Sequence, residues 1–150
     1  MAIQEMSEQE CREFLAGSSF GRLGCALDNQ PYVVPIQFAC EGDYLYSFGT
    51  FGQKIEWMRA NPKVCVQVDK VSGRFDWVSV IGLGSYEELV EPRYELERAH
   101  ARKLLDTRER WWLNALAERQ LKSGDELIAA IFFRIRMESV SGLKTASNGQ

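Results

Sequence analysis

The chain has 150 residues, of which 45% are hydrophobic and 26% charged, and its formal net charge is −3. This length and composition predict a single globular domain over residues 1–150 with its own apolar core. Lys and Arg are scattered and slightly outnumbered by Asp and Glu, which disfavours a nucleic-acid-binding surface. No apolar run is long enough to span a bilayer and no basic-then-apolar signal is present, so we expect a cytoplasmic protein without membrane contact.

The cysteines and the single histidine offer little for metal binding. Cys11, Cys25, Cys40 and Cys65 form no Cys-x-x-Cys pair, so no zinc site of the usual spacing is expected. Cys25 and Cys65 lie within apolar strand patterns, which predicts buried thiols. His100 is the only histidine and lies in a charged helical stretch, which favours a solvated surface position. We therefore expect no metal.

The first predicted element is a helix from Ser7 to Gly17. Ser7 and Glu10 are three residues apart and fit a capping box, in which each side chain accepts a hydrogen bond from the other residue's backbone N–H. Gly17 is typical of a C-terminal cap. Together these signals predict both ends of the helix.

Two strands follow, Phe20–Leu27 and Tyr32–Cys40, with Asp28–Pro31 as the turn between them. Pro35 interrupts the second strand. Proline has no backbone N–H to give to a ladder. Pro35 therefore indicates an edge strand, a bulge or a place where a ligand takes the position of a neighbouring strand.

The stretch from Asp43 to Pro62 predicts a strand, a glycine-bearing loop and a short helix. Thr50 and Gln53 fit a second capping box, with Thr50 as the N-cap. A helix N-terminus presents free N–H groups and a partial positive charge, and Lys54 adds a full charge, so an anion such as a phosphate would bind well. The alternative is that Thr50 only caps the helix and Lys54 points into water.

The rest of the chain predicts further strands and a helical excursion. Strands are predicted at Lys63–Val71, Trp77–Leu89 and Leu127–Val140, and helices at Arg93–Leu105 and around Trp111–Leu116. The tail Thr145–Gln150 is small and polar, so it is expected to fray. About six strands joined mostly by short turns predict a mainly β fold, an antiparallel Greek-key barrel with peripheral helices.

Several pieces, in a fixed order, resemble a known family. They are G-R-L-G in the first strand, P-Y-V-V-P in the second, G-x-K before a helix that ends at N-P, then V-x-V-D and W-x-S-V. This order resembles the pyridoxamine 5′-phosphate oxidase-like, FMN-binding split-barrel flavoproteins, and within them the oxidase-related branch that includes 5-nitroimidazole-resistance proteins. The resemblance implies a split barrel that forms a homodimer with two FMN sites at the subunit interface.

The resemblance also implies which residues contact FMN. They lie along the isoalloxazine ring (Val34, Pro35, Ile36 and Gln37), around the flavin and ribityl chain (Ser47, Phe48, Gly49 and Thr50), at the phosphate (Gln53 and Lys54), and on the partner subunit (Trp77, Val78 and Ser79). From the residues alone, Pro35 can also be explained as a residue that blocks an edge strand. Trp77 is explained equally well as a plain core residue.

Departures from the family pattern bear on activity. Gln53-Lys54 replaces the Arg-Lys pair at the FMN phosphate of pyridoxamine-phosphate oxidases, and S-V-S-G-L-K-T-A-S-N-G-Q does not resemble their substrate-binding arginine segment. Both disfavour oxidation of pyridoxamine phosphate. The histidine that nitroimidazole-resistance relatives can place near the flavin has no counterpart between Met1 and Ala99, which disfavours nitro reduction.

We therefore expect an FMN-dependent oxidoreductase that acts on a small planar substrate by hydride transfer through FMN. Tyr32, Gln37 and Ser79 are candidates for orienting the substrate, and no catalytic acid or base is identified. The alternative is a flavin- or haem-binding split barrel without turnover, although a single distant histidine disfavours haem ligation. A β-barrel that binds single-stranded nucleic acid would need a basic groove, which the acidic balance disfavours.

Overall fold

The computed structural model describes residues 2–106 and 130–146. Within these residues the fold is mainly β, with eight antiparallel strands and three helices, which confirms the predicted fold class. In chain order the elements are β1 (Ala2–Glu5), α1 (Glu8–Ala16), β2 (Phe20–Leu27), β3 (Gln30–Gln37), β4 (Ala39–Glu41), β5 (Tyr44–Gly49), α2 (Gln53–Ala60), β6 (Lys63–Gly73), β7 (Asp76–Glu88), α3 (Glu95–Asp106) and β8 (Ile131–Ala146).

The prediction of about six strands was wrong because two short strands carry weak sequence signals. All four side chains of β1 are exposed, so no apolar alternation marks it, and it forms by pairing with residues 143–146 of β8. The first two residues of the tail predicted to fray are therefore paired. The predicted strand Tyr32–Cys40 divides at Phe38, whose side chain is fully buried and whose N–H donates to the Ser19 carbonyl at 3.0 Å.

The sheet does not close into a complete barrel. Its strands follow the order β3-β2-β6-β7-β8-β5-β4, and β1 pairs with β8 outside this path. Strands β3 and β4 are the two ends of this order, although only Phe38 separates them in sequence. The sheet therefore curls until its ends come together without pairing, which is the split barrel that the resemblance implied.

Apolar side chains form two clusters. The main core includes Leu23, Phe38, Leu45, Ile55, Met58, Val66, Val80, Phe133 and Ile135. A second cluster lies between the sheet and α3 and contains Ala39, Tyr46, Leu89, Ala101, Leu105 and Phe132. Successive strand residues point to opposite faces, so β5 contributes Leu45 to the first cluster and Tyr46 to the second, and both of its faces are covered.

Two local predictions are confirmed. The Ser7 hydroxyl accepts from the Glu10 N–H at 3.1 Å, and the Glu10 carboxylate accepts from the Ser7 N–H at 3.2 Å, which is the predicted capping box. The helix predicted at Arg93–Leu105 forms as α3, beginning two residues later. The helix predicted around Trp111–Leu116 lies outside the described residues.

Candidate functional site

A cavity of about 200 Å³ opens beside β3, where β3, β5 and α2 meet. Its lining residues are Phe20, Pro35, Ile36, Gln37, Ser47, Phe48 and Lys54. All of them except Phe20 are among the residues predicted to contact a cofactor. The fold thus brings together side chains from separate stretches of sequence, and we call this space the Lys54 cavity.

Of the described residues that line this cavity, Lys54 alone is ionisable. Its side chain folds back over Gly49, where a methyl group added to the glycine would lie 3.3 Å from both Cε and Nζ of the lysine. Across residues 2–106 and 130–146 the ammonium group makes no hydrogen bond or ion pair. Burial lowers the pKa of Lys54 below its ordinary value, and the neighbouring Cys25 thiol opposes that shift. The charged form of Lys54 is therefore held in a partly dehydrated position without a counter-charge.

Helix α2 begins later than predicted. Its N-cap is Gly52, no side chain caps it, and Gly52 O accepts the N–H of Glu56 at 3.0 Å. The prediction of a capping box with Thr50 as N-cap was wrong, because Thr50 stands two residues before the cap and its hydroxyl does not bond the first turn. The N–H groups of that turn consequently have no side-chain acceptor.

The wall opposite Lys54 is held by a hydrogen bond between β5 and β3. The Ser47 hydroxyl, which is 1% exposed, donates to the Gln37 carbonyl at 2.7 Å. Pro35 lies in β3, at one end of the strand order, so the edge-strand interpretation of Pro35 is confirmed. An edge strand leaves one row of backbone groups outside the ladder.

The C-terminal half of α2 is fixed to the sheet by polar contacts. Arg59 donates to both carboxylate oxygens of Glu88, at 2.7 and 3.0 Å, and the Tyr86 hydroxyl donates to Glu88 at 2.7 Å. The Arg59 guanidinium, followed by the Tyr86 hydroxyl, holds the pKa of Glu88 below its ordinary value against the effect of burial. Beyond the helix, the Asn61 amide donates to the Ala26 carbonyl at 2.9 Å. These contacts determine where the helix that carries Lys54 lies.

The remaining predicted cofactor residues do not line the Lys54 cavity. Val34 packs against the main core, and Thr50 is partly buried outside the cavity lining. Gln53 is exposed on the first turn of α2, so it does not accompany Lys54 into the cavity. Gly49 lies beside the cavity through its contact with Lys54.

The residues predicted to come from the partner subunit lie elsewhere on the protomer. Trp77 and Ser79 line a separate cavity of about 590 Å³ together with Glu5 and Met6, and Val78 packs against the main core. The candidates for orienting a substrate are also dispersed, since Tyr32 lines a third cavity and, of the three, only Gln37 lines the Lys54 cavity. Their contact with a cofactor stays a prediction.

Phe20 is a lining residue that the sequence reasoning missed. It lies opposite Gln37 in the β2–β3 ladder. The hairpin turn consists of Asp28 and Asn29, both at positive φ, and a two-residue turn fixes the register of its strands. Counting back from this turn would have placed Phe20 beside Gln37.

Within the described residues no group of three or more His, Cys, Asp and Glu side chains is arranged to hold a metal ion. Cys25 is buried, as predicted, whereas Cys65 is partly exposed. His100 is exposed, as predicted, and contacts Glu41 at 2.7 Å. None of the helices in the described ranges has the length and apolar character needed to cross a bilayer.

The amino-acid sequence of the chain is similar to those of other proteins. A family model described as pyridoxamine 5′-phosphate oxidase matches residues 7–144. An uncharacterised protein of Rhizobium meliloti (strain 1021) is 38% identical over 143 residues, which are 95% of this chain and 95% of that protein. The family match therefore includes every lining residue of the Lys54 cavity.

Solved structures are similar as well. A FAD-binding protein of Mesorhizobium loti is 40% identical, with a TM-score of 0.74, over 97% of this chain and 100% of that one. A candidate 5-nitroimidazole antibiotic resistance protein of Bacteroides thetaiotaomicron is 18% identical, with a TM-score of 0.64, over 96% and 89% of the two chains. The second likeness is one of fold alone.

Proposed function

Because the chain belongs to the pyridoxamine 5′-phosphate oxidase family, we propose that it binds a flavin nucleotide whose phosphate lies at Lys54. The observation that carries this proposal is the partly buried Lys54 ammonium, which has no counter-charge among the described residues. An unpaired buried charge costs free energy. A phosphate at the start of α2 would offset that cost by accepting charge-assisted hydrogen bonds from Lys54 and from the uncapped N–H groups of the first turn.

The residues of the Lys54 cavity suit the polar tail of a flavin better than a complete flavin. A volume of about 200 Å³ is below the roughly 300–1,000 Å³ of typical small-molecule pockets. The cavity would hold the phosphate and part of the ribityl chain. Phe20 and Phe48 would provide apolar walls, and the Gln37 amide can both donate to and accept from a polar group.

We propose that a second copy of the chain completes the site. Ile81 and Leu83 of β7 are 44% and 53% exposed, and they share a strand face with Ser79. Apolar side chains exposed in this way favour a protein interface. A homodimer formed through this face would present Trp77 and Ser79 to the flavin of the other subunit, as the resemblance implies. The side chain of Val78 points the other way, into the main core, so Val78 would contact that flavin through its backbone.

The proposed activity is an FMN-dependent oxidation or reduction of a small planar substrate. A bound flavin would supply the hydride chemistry, and the protein would bind, orient and shield the reactants. Lys54 is committed to the phosphate, so the lining residues offer no separate acid or base. Flavin binding without turnover is the alternative, and it would use the same contacts.

FAD is a second candidate cofactor. The similar protein of Mesorhizobium loti is described as FAD-binding, and Lys54 would meet a phosphate in either nucleotide. The choice between FMN and FAD therefore depends on what lies beyond the first phosphate.

The proposal is tested on the purified full-length protein. We expect a yellow protein, or a colourless one that quenches the fluorescence of added FMN or FAD with saturation at one flavin per chain. Addition of NAD(P)H, followed by a quinone or a nitroaromatic compound, then distinguishes turnover from binding through loss and recovery of the flavin absorbance. A protein that takes up neither flavin would overturn the proposal.

A further inference from the structure

A second cavity of about 260 Å³ lies on the other side of Phe48 from Lys54. Its lining residues are Phe48, Arg98, Arg102, Leu105, Asp106, Ala130 and Phe132. Phe48 lines both cavities, so the two spaces adjoin at one residue of β5. We call the second space the arginine cavity.

The described residues that line the arginine cavity carry an excess of positive charge. Arg98 is held in place, since Nε pairs with Glu91 at 3.3 Å and Nη2 donates to the Ala130 carbonyl at 3.5 Å. Arg102 is exposed, and it has no ion pair within the described ranges. Among the described lining residues there are thus two guanidinium groups and one carboxylate, that of Asp106, which favours an anion.

The inner wall of the arginine cavity is flat and aromatic. The rings of Phe48 and Phe132 are stacked, with centroids 5.1 Å apart and an interplanar angle of 30°. The Arg98 guanidinium carbon lies 4.8 Å from the centroid of the Phe132 ring, and Leu105 adds apolar surface. The faces of Phe132 are therefore covered by Phe48 and Arg98, and the cavity meets the edge of the stacked pair together with the Arg98 guanidinium. Aromatic rings beside arginines are surroundings in which nucleobases and their phosphates bind.

We propose that the arginine cavity binds part of the adenylate half of FAD, namely its second phosphate and one edge of the adenine, so that this chain takes the dinucleotide in preference to FMN. This inference depends on the proposed function, because the Lys54 cavity would hold the phosphate nearer the flavin. The pyrophosphate would pass Phe48 from Lys54 toward Arg102. The adenine would meet the edge of the stacked Phe48–Phe132 pair and extend toward solvent.

The charge at Lys54 also favours a dinucleotide. The phosphate monoester of FMN carries a charge of about −1.5 to −2 at neutral pH, whereas each phosphate of a pyrophosphate diester carries a single negative charge. Lys54 is one cation, and the adjacent Gln53 is neutral and exposed. The single positive charge of Lys54 would balance the single negative charge of one diester phosphate. Arg102 would then pair with the second phosphate.

The first measurement compares the affinities of the full-length protein for FAD and FMN by quenching of flavin fluorescence. We expect FAD to bind about tenfold more tightly, as one additional charge-assisted contact would give. 5′-AMP should compete with FAD and leave FMN binding unchanged. If neither flavin binds, the proposed function fails together with this inference.

The second measurement uses the variant Arg102→Ala, with Lys103→Ala as the matched control. Lys103 is the next residue of α3 and is exposed outside the cavity lining. We expect Arg102→Ala to weaken FAD binding about fivefold to tenfold with FMN affinity unchanged, Arg102→Lys to recover part of the loss, and Lys103→Ala to change neither affinity.

Two results would overturn the inference while leaving the proposed function intact. One is equal affinity for FMN and FAD without competition by 5′-AMP. The other is an Arg102→Ala variant that loses both flavins equally or neither. In either case the arginine cavity would be only the packing space between α3 and the sheet. Thermal unfolding of the variants without flavin identifies any loss that is due to misfolding.

Discussion

Helix α2 carries a basic residue near each end, and the two are in opposite situations. Lys54, near the N-terminus, is partly buried and has no counter-charge among the described residues. Arg59, in the last turn, has a half-exposed side chain and is bonded to both oxygens of Glu88. The ion pair thus stabilises the end of the helix that needs only to stay in place. The uncompensated charge remains where a ligand would provide the partner.

Replacing Lys54 tests this difference most strongly. Lys54→Met should weaken flavin binding by about 2 kcal/mol, or roughly thirtyfold, since it removes a charge-assisted bond to phosphate. Without flavin the same variant should be more stable by about 1 kcal/mol, because an apolar side chain replaces an unpaired charge. Fluorescence titration and thermal unfolding of the flavin-free protein measure the two effects.

The decisive point is that Lys54→Met should weaken flavin binding and yet stabilise the flavin-free protein. Lys103→Ala, which removes an exposed lysine from α3, should change neither quantity. A Lys54→Met protein that is less stable without flavin, or that binds flavin as tightly as the parent, would show that Lys54 has a structural role.

Removing the carboxylate at the other end of α2 should give the reverse pattern. Glu88→Ala should destabilise the protein by about 2 kcal/mol, because it leaves a partly buried hydroxyl and a guanidinium without their acceptor. Flavin affinity should change by less than about threefold. Urea unfolding measures the first effect, and Glu56→Ala, an exposed carboxylate on the same helix, is expected to stay within about 0.5 kcal/mol.

Stability should depend on pH differently at the two ends of α2. The pKa of Glu88 is lowered in the folded state, so its contribution is complete above its ordinary value of 4.5 and is lost as the pH falls below it. The pKa of Lys54 is also lowered, but for a lysine this means that the unfolded chain binds more protons. The cost of Lys54 should therefore diminish as the pH rises toward its ordinary value of 10.5.

Comparing each variant with the parent protein across pH isolates these two opposite pH dependences of stability. Urea midpoints of the parent and of Glu88→Ala should converge at acidic pH, and those of the parent and of Lys54→Met should converge at alkaline pH. Parallel pH profiles for either pair would contradict the corresponding assignment.

The smallest effect is expected at Gly49. A Cβ there would lie 3.3 Å from Cε and Nζ of Lys54, so Gly49→Ala should displace the ammonium by a few tenths of an ångström. We expect flavin affinity to fall about threefold, with stability changed by less than about 0.5 kcal/mol. Gly52→Ala, which has more space around it, provides the comparison, and fluorescence titration measures both.

Signals that act within a few residues allowed much of the fold to be predicted. The capping box at Ser7, the bounds of β2 and the edge position of Pro35 all follow from local chemistry and are confirmed. The order of motifs also identified the family. Thr50 failed as an N-cap because Gly52, only two residues further, begins the helix, and a capping pattern alone does not decide between neighbouring starts.

Non-local features could not be predicted in the same way. Strand β1 exists only because β8 extends to meet it, and the burial of Lys54 depends on how α2 lies across Gly49. The arginine cavity requires α3 to pack against β5 and β8, which no local pattern indicates. The sequence therefore identified most of the Lys54 cavity through the family resemblance and gave no sign of its neighbour across Phe48.

Strand β8 pairs with β1, β5 and β7. During synthesis on the ribosome, none of these three ladders can form until residues 131–146 have emerged. Until then, the earlier strands have one or more unpaired edges, and unpaired edges favour aggregation of nascent chains. We expect a chain truncated before β8 to be recovered as insoluble protein, even though it would retain Lys54 and most of the candidate site.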